Sequence, residues 1–527
     1  MKKILISDKL AEDGINFLNA QTGLQTYIHT GLSEDELCEI IPEYDALLVR
    51  SDTKVTARVL KAASRLKIVG RAGIGVDNID LDSALEQGVI VMNTPDANAT
   101  TTAELALAHI FSLSRNLPRA NQSVKEGKWE RSKLMGAEIA NKTLAILGFG
   151  TIGRIVAQRG IGLGMRVIAH DPFVTPDVFL AYGVEVVDFT ELFTQADYLT
   201  LHCPLLEKTR HIVGKDQLAI MKKTARLINC ARGGLVDEAA LYEALKSGCL
   251  AGAALDVFEH EPPSNSPLLD LENVVVTPHL GASTQEAQIA VSVAIARQVA
   301  RYLQTGEAVN ALNLLGLSAE ELKKALPFMH LANILGKVLA GLIDCPIQKL
   351  EVAVFGQAAQ VKIRPVTDEA MIGLLAGQFS TPINRVNVEK IAKRQGMSFI
   401  ETQSEVSQGY QSLIKLTGHC SDKSISLAGT LLGDHAPRLV SINHFEIEVV
   451  PEGVLLVTRH EDKPGVIAAI SSVLGVSNIN ITRMQVSIAD YQQSAMMVIG
   501  VSHPLNPQLL KALCDVPAVH SVRQIVL

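Results

Sequence analysis

Over the first part of the chain, short apolar runs alternate with amphipathic stretches, the pattern of strands exchanged with helices. Lys3 to Ser7, Ala46 to Val49 and Leu66 to Val69 are such runs, the last passing into Gly70-Arg71-Ala72-Gly73. They predict short buried strands, the first two separated by a helix and the third ending in a loop, together an α/β unit. Leu144 to Leu147, Met165 to Ala169, Leu227 to Cys230, Ala253 to Leu255 and Val274 to Val276 predict a second group of strands. Two helices bracket this group. One is the apolar stretch Glu104 to Leu113; the other opens at Ser283-Thr284-Gln285-Glu286, which reads as a capping box, and runs alanine-rich to Gly306.

The first apolar run of the second group meets the glycine string Gly148-Phe149-Gly150-Thr151-Ile152-Gly153. Gly148 permits a tight turn, Gly150 lets a pyrophosphate approach the backbone, and Gly153 lets the following helix press on the sheet with its N-terminus aimed at the phosphates. The next strand ends at Asp171, 18 residues past Gly153, near the spacing expected of a ribose-binding carboxylate. Asp171 would accept the ribose hydroxyls and repel a 2′-phosphate; with no arginine in Pro172-Phe173-Val174, the expected cofactor is NAD. The alternative is an ordinary strand–turn–helix with a surface aspartate. Because the first α/β unit lacks this fingerprint, the nucleotide-binding segment is expected as an insertion, giving two lobes around a cleft.

From residue 313 onward the pattern changes to an apolar helix at Phe328 to Leu342 and strands at Leu350 to Val354, Leu413 to Leu416 and Phe445 to Val450. No catalytic constellation stands out there, so a spacer or docking domain is expected. After Gly453 the order is strand (Val454 to Thr458), helix following Pro464-Gly465, strands Ile479 to Val486 and Ala495 to Val501, helix Asn506 to Cys514 and strand Val522 to Leu527. That is the split β-α-β order of a small ferredoxin-like domain. Its uncovered sheet edge invites pairing with a second copy.

Composition narrows the function. A chain of 527 residues exceeds one core, and a net charge of −7 with a pI near 6.1 leaves no basic excess for nucleic acid. The apolar run behind Met1-Lys2-Lys3 is too short for a signal peptide, and no uninterrupted apolar stretch of membrane-spanning length stands out. A cytoplasmic protein without membrane contact is expected. Seven scattered cysteines form no C-x-x-C, so buried thiols are expected rather than a disulfide framework or a metal site.

Three strand ends in the second group carry polar residues out of apolar sequence. Arg232 follows Asn229-Cys230-Ala231 and precedes two glycines; its guanidinium can grip a carboxylate through two parallel hydrogen bonds. Asp256 closes the next strand, with Glu261 in a proline-stiffened loop after it, and His279 stands at the tip of Val274 to Pro278. An imidazole exchanges protons near neutral pH, and a carboxylate beside it would hold its ring and favour its charged form. His170, His202 and His260 are read as structural. Arg50-Ser51 and Arg71, at strand ends of the first lobe, project toward the cleft, and with Asn98 they favour a phosphorylated acid.

In these stretches the sequence resembles the D-isomer-specific 2-hydroxyacid dehydrogenases, and over its full length their long form, with an intervening domain and a C-terminal ACT domain. The resemblance implies two Rossmann-like lobes, the nucleotide lobe inserted in the substrate lobe, followed by an α+β domain and a ferredoxin-like domain. The expected bounds are 1–97 and 288–312 for the substrate lobe, 98–287 for the NAD lobe, 313–451 for the intervening domain and 452–527 for the ACT domain. It implies a catalytic triad of Arg232, Glu261 and His279, with Thr151, Ile152, Asp171, Cys203, Cys230, Ala231, Asp256, Gly281 and Ala282 around NAD. Cys203 departs from the threonine often found there. Arg50, Ser51, Arg71, Gly73, Asn98 and Arg131 would meet the substrate, Arg131 across a dimer interface. The implied reaction is oxidation of 3-phospho-D-glycerate to 3-phosphohydroxypyruvate, opening L-serine biosynthesis, in a homotetramer. His460, Asp462, Gly465 and Asn480 would form an L-serine site between paired ACT domains, although Asp462 stands where relatives carry asparagine. Two alternatives are a dehydrogenase of another small 2-hydroxy acid and an NAD(H)-sensing interaction protein without enzymatic activity.

Overall fold

The computed structural model describes residues 1–527 except 96, 315, 380–381, 434 and 489–493. Four sheets organise it. The first contains, in spatial order, Leu24–Ile28, Lys2–Ile6, Ala46–Val49, Ile68–Arg71 and Ile90–Met92, all parallel. The second, also parallel, runs Val274–Val276, Gly252–Leu255, Arg226–Asn229, Tyr198–Leu201, Thr143–Leu147, Arg166–His170 and Glu185–Val186. Helices cover both faces of a parallel sheet, so its inner strands are largely apolar. Ala46–Val49, Thr143–Leu147 and Gly252–Leu255 are accordingly buried throughout. In the second sheet the chain order reverses between Thr143–Leu147 and Tyr198–Leu201, which places a crevice beside the carboxyl end of the strand that leads into Gly148.

Two helices join these sheets. Ala99–Arg115 packs Ala103, Ala106 and Ile110 into the core of the second sheet, and Gln285–Thr305 carries Val291, Ile295 and Val299 into the core of the first. They touch at their starts, where Thr101 and Thr284 share a hydrogen bond of 3.3 Å. The N-cap of the second helix is Thr284, which accepts from Ala287 N–H at 3.2 Å; the expected capping box on Ser283 and Glu286 does not form. After that helix the chain returns to the edge of the first sheet. Leu312 N–H donates to the Val91 carbonyl at 2.8 Å, while the Asn313 amide accepts from Val91 N–H at 3.0 Å and donates to the Val89 carbonyl at 2.8 Å.

The third sheet orders Ser398–Ser404, Lys349–Gly356, Ser412–His419, Ser424–Leu432, Ala436–Ile442 and Phe445–Val449. Only its first pair is parallel. One face meets helices, so burial alternates along Lys349–Gly356 and Phe445–Val449. The long helix against it spans Ala319–Leu342, a longer element than expected from its apolar half. Its start is fixed by a capping box, Ser318 with Glu321, and Pro327 is accommodated inside the helix. By length and composition this helix could cross a membrane. Here its Leu331, Leu335, Val338 and Leu339 are buried in the core of the third sheet.

The fourth sheet, Ile481–Ile488, Ser494–Val501, Val454–Glu461 and Val519–Val526, is antiparallel and carries helices Val466–Val476 and Pro507–Cys514 in β-α-β-β-α-β order. Its Leu455, Val457, Met496, Val498 and Ile525 join the same apolar core as the third sheet. The cysteines correct the sequence expectation twice over. Cys345 and Cys420 are joined by a disulfide, and Cys249 and Cys514 are exposed rather than buried.

Two glycines set the distance between Ala319–Leu342 and Ile363–Leu375. A Cβ at Gly336 would lie 2.1 Å from the Ala370 carbonyl oxygen, and one at Gly373 would lie 2.0 Å from that of Asn333. Alanine favours an exposed helix by about 1 kcal/mol, but here backbone faces backbone and cannot yield locally. Gly336→Ala is therefore expected to lower stability by about 1–3 kcal/mol, read as a reduced denaturant midpoint; an increased midpoint would contradict this close packing.

Candidate active site

All strands of the second sheet point the same way, so Gly148, Arg232, Asp256 and His279, each following a strand, share one edge. The glycine string opens helix Thr151–Gly162 with Gly150 as its N-cap and no capping side chain. A Cβ on Gly148, at φ +94°, would lie 2.7 Å from Cys203 N; one on Gly153 would lie 2.3 Å from the Gly148 carbonyl oxygen, whereas Gly150 faces open space. Backbone and side chains thus close in on two glycines and leave the third free for a phosphate, an arrangement that fits a dinucleotide. Asp171 sits beside it, its Oδ2 accepting from Phe149 N–H at 2.8 Å and its Oδ1 from Phe173 N–H at 3.0 Å. Burial pushes the Cys203 thiol up to about 11 and the His202 imidazole down to about 3, so both stay uncharged beside the string. Burial likewise raises Cys230.

His279 holds a left-handed backbone, φ +56°. For a residue with a Cβ this costs about 1 kcal/mol or more, and the compensation comes from Asp256. The Asp256 carboxylate is fully buried and accepts from Thr277 Oγ1 (2.6 Å), Leu280 N–H (2.7 Å) and Gly281 N–H (2.9 Å), while its carbonyl accepts from His279 N–H (2.9 Å). The Asp256 side chain thereby holds the loop that carries His279. Thr102 Oγ1 holds the far end of that loop by donating to the Gly281 carbonyl at 2.8 Å.

His279 Nδ1 lies 2.8 Å from Glu261 Oε2, and Glu261 Oε1 accepts from Phe258 N–H at 3.1 Å. The hydrogen bond to Glu261 raises the imidazole pKa against the opposing pull of burial, helped by the charges of Glu261 and Asp256 and resisted by Arg232. Burial alone would raise the Glu261 pKa, but His279, Phe258 N–H and Arg232 together lower it. The pair is therefore poised as carboxylate and readily protonated imidazole.

Arg232 stands on a turn braced by Asn229, whose amide accepts from Ala231 N–H (3.1 Å) and donates to the Arg232 carbonyl (2.9 Å). Its guanidinium donates to the Ala231 carbonyl at 2.7 Å and pairs with Asp77 across the lobes at 3.4 Å. Gly75 leaves it room, since a Cβ there would lie 2.4 Å from Nη2.

A cleft of ≈ 480 Å³ between the lobes is lined by Arg50, Ser51, Arg71, Gly73, Phe258, Glu261, Pro262, His279 and Ala282, among others. Residues predicted from distant parts of the sequence thus meet in one cavity. Burial, and then the charge of Arg232, push Arg71 down to about 10, and its Nε has no hydrogen-bond partner among the described residues. Asn98, at the start of helix Ala99–Arg115, also buries an Oδ1 without a hydrogen-bond partner among the described residues. Arg131 is exposed on the short turn Arg131–Leu134 and does not line the cleft of its own chain.

Sequence reasoning missed the braces. Asp8 accepts from Arg50 N–H (2.5 Å) and Thr53 Oγ1 (2.5 Å), and the Asn78 amide donates to the Arg50 carbonyl (2.8 Å). Asp8 ends the first strand on the ligand side of a parallel sheet, which was the signal available. In the fourth sheet, His460 is buried with an Nε2 that has no hydrogen-bond partner among the described residues, and Asp462 and Gly465 follow in the loop after its strand. Asn480 does not join them. It lies beside Ser502 at the opposite end of the sheet, seven positions away along the strand Ser494–Val501, roughly 23 Å at about 3.3 Å per residue.

Residues 107–281 match the D-isomer specific 2-hydroxyacid dehydrogenase NAD binding domain, 324–443 the D-3-phosphoglycerate dehydrogenase intervening domain, and 453–518 the ACT domain. The D-3-phosphoglycerate dehydrogenase of Methanocaldococcus jannaschii is 40% identical over 523 residues, 99% of both chains. The chain belongs to the D-3-phosphoglycerate dehydrogenase family. The Bacillus subtilis member is 39% identical over 528 residues, covering 100% of this chain and 99% of that one. Among solved structures, the glyoxylate reductase of Paecilomyes thermophila aligns with a TM-score of 0.55 at 31% identity, over 59% of this chain and 98% of its own. The D-lactate dehydrogenase of Aquifex aeolicus, solved with NAD and lactic acid, aligns with a TM-score of 0.53 at 27% identity, over 60% of this chain and 100% of its own.

If Asp171 selects the ribose hydroxyls, Asp171→Asn keeps an acceptor for Phe149 N–H but loses the charge. The expected result is a rise of about tenfold in KM for NAD and a smaller preference over NADP; unchanged kinetics with both would assign the carboxylate to loop structure alone.

Proposed function

We propose that this chain catalyses the NAD-dependent oxidation of 3-phospho-D-glycerate to 3-phosphohydroxypyruvate, the first step of L-serine biosynthesis. The observation that carries the reading is the meeting of His279–Glu261 with Arg50 and Arg71 in one cleft, His279 following a strand of the same parallel sheet whose strand ends carry the glycine string. NAD, when bound, supplies the acceptor for the hydride that leaves C2 of the substrate. His279 takes the hydroxyl proton at Nε2, since Nδ1 is committed to Glu261. Glu261 keeps the ring oriented and stabilises the imidazolium that results. Arg232 binds the α-carboxylate and steadies the carbonyl oxygen as it forms. Arg50 and Arg71 face the phosphate, with Ser51, Gly73 and Asn98 completing that end.

We further propose a homo-oligomer, a tetramer in the long form, with a cytoplasmic location. Leu117, Val124, Trp129 and Met135, from 50% to 86% exposed, cluster in the sequence around Arg131, which suits a covered face. In such an assembly Arg131 would enter the cleft of a second copy. Pairing of two C-terminal domains would bring Asn480 of one copy toward His460, Asp462 and Gly465 of another, with L-serine as the small molecule held between them. A non-enzymatic NAD(H) sensor would have no use for the phosphate-facing arginines.

Arg50→Ala should raise KM for 3-phosphoglycerate at least tenfold, on the scale of one charge-assisted hydrogen bond, while leaving unphosphorylated glycerate unaffected; equal effects on both would point to another 2-hydroxy acid. His279→Ala should lower kcat by about 10²–10⁴ with NADH binding retained by fluorescence, and unchanged turnover would remove His279 from the chemistry. Oxidation requires neutral His279, so its rate rises as pH passes the raised imidazole pKa. Glu261→Gln removes the group that raises it, and the acidic limb of kcat/KM should move to lower pH as the maximal rate falls; an unmoved limb would assign it to another group.

A further inference from the structure

Five of the seven cysteines are unpaired, so the cross-link between Cys345 and Cys420 is not part of a disulfide framework. Both residues are only partly buried and can be reached by a small dithiol. Cys345 lies in the connection from helix Ala319–Leu342 to strand Lys349–Gly356, and Cys420 opens the turn between Ser412–His419 and Ser424–Leu432. The bond closes a sequence separation of 75 residues. At its far end the connection is tied to the sheet, Gln348 N–H donating to the His419 carbonyl at 2.9 Å and the Gln348 carbonyl accepting from Ser398 N–H at 2.9 Å, with Ile347 packed on the core; around Cys345 itself the neighbouring tie is Asp344, which pairs with Lys423.

The same connection adds a polar tie to the apolar core that the C-terminal domain shares with the third sheet. The second oxygen of Asp344 accepts from Arg523 at 2.8 Å, in the edge strand Val519–Val526. Three residues earlier Gly341 presses on that strand so closely that a Cβ would lie 2.7 Å from Ile525 Cγ1. Cys345 is thus the anchor of a short segment whose other residues grip the last strand of the chain. Untying it lets the segment open locally without dismantling the apolar core beneath.

We propose that Cys345 and Cys420 form a thiol-responsive cross-link that sets how firmly the C-terminal domain is seated against the third sheet. Reduction consumes one dithiol: its thiolate attacks one sulfur and expels the other as a thiolate, the second thiol resolves the mixed disulfide, and two protons and two electrons end on the protein's cysteines while the reagent becomes a cyclic disulfide. Loss of the cross-link frees the 343–348 connection, and the Asp344–Arg523 pair loses its fixed base.

The test uses the full chain, once oxidised with a disulfide buffer and once reduced with dithiothreitol, followed by alkylation and hydrogen exchange. Five cysteines should be alkylated after oxidation and unfolding, and seven after reduction. Exchange in 343–348 and 519–526 should speed up by about tenfold on reduction, in Cys345→Ser/Cys420→Ser without reduction, and return on reoxidation of the unsubstituted chain only. Cys249→Ser/Cys514→Ser should behave as the parent. Seven alkylated cysteines in the oxidised chain, or identical exchange of 519–526 in both states, would overturn the proposal. Should the double variant not fold, the reduction and reoxidation of the parent chain still decide.

Discussion

The carboxylate of Asp256 has no contact with solvent, yet it accepts hydrogen bonds from the side chain of Thr277 and the backbones of Leu280 and Gly281. An unpaired charge at this depth would cost several kcal/mol, and the three donors offset that cost only if the chain after Val276 folds back sharply. Sharp reversal at a residue with a side chain requires the left-handed region, and His279 is the residue that occupies it. Buried charge, strained backbone and exposed imidazole are therefore one arrangement. The proline-stiffened loop at Glu261 then needs only to meet a ring whose position is already decided.

The cleft faces this arrangement with groups that repel one another. Arg71 and Arg232 are close enough for each charge to act on the other, and burial adds to the strain on Arg71. Such a gathering of cations is unfavourable in the protein alone and becomes favourable with a substrate bearing both carboxylate and phosphate. Asp77 and Asp8 moderate it, the first through Arg232 and the second through the backbone of Arg50.

Legibility in the sequence followed the range of the forces involved. The glycine string, the strand ends and the two joining helices could be read because each depends on residues within a turn or two of one another. Most inner strands of the parallel sheets were clear for the same reason, short apolar runs in succession, whereas Tyr198–Leu201, interrupted by Thr200, went unread. What escaped notice depends on contacts across the fold. The helix expected from Phe328 begins nine residues earlier, at Ala319, because the capping box at Ser318 and the packing of Leu331 and Leu335 carry it through Pro327. The strands Ser424–Leu432 and Ala436–Ile442 carry weaker alternation and owe their pairing to neighbours already in place. Cys345 and Cys420 are 75 residues apart, and spacing gave no sign that they pair. Asp256 was visible as a strand-end acid, but its task became clear only from the donors around it.

A flat strand at the rim of a sheet offers its free backbone groups to any passing chain and so invites aggregation. Ile90–Met92 stands at such a rim, and the return of the chain through Leu312 and Asn313 occupies its donors and acceptors with backbone and amide bonds. The segment that leads to the added domains therefore doubles as a guard strip. The chain can thus pass on to its last two sheets without leaving a sticky border on the first.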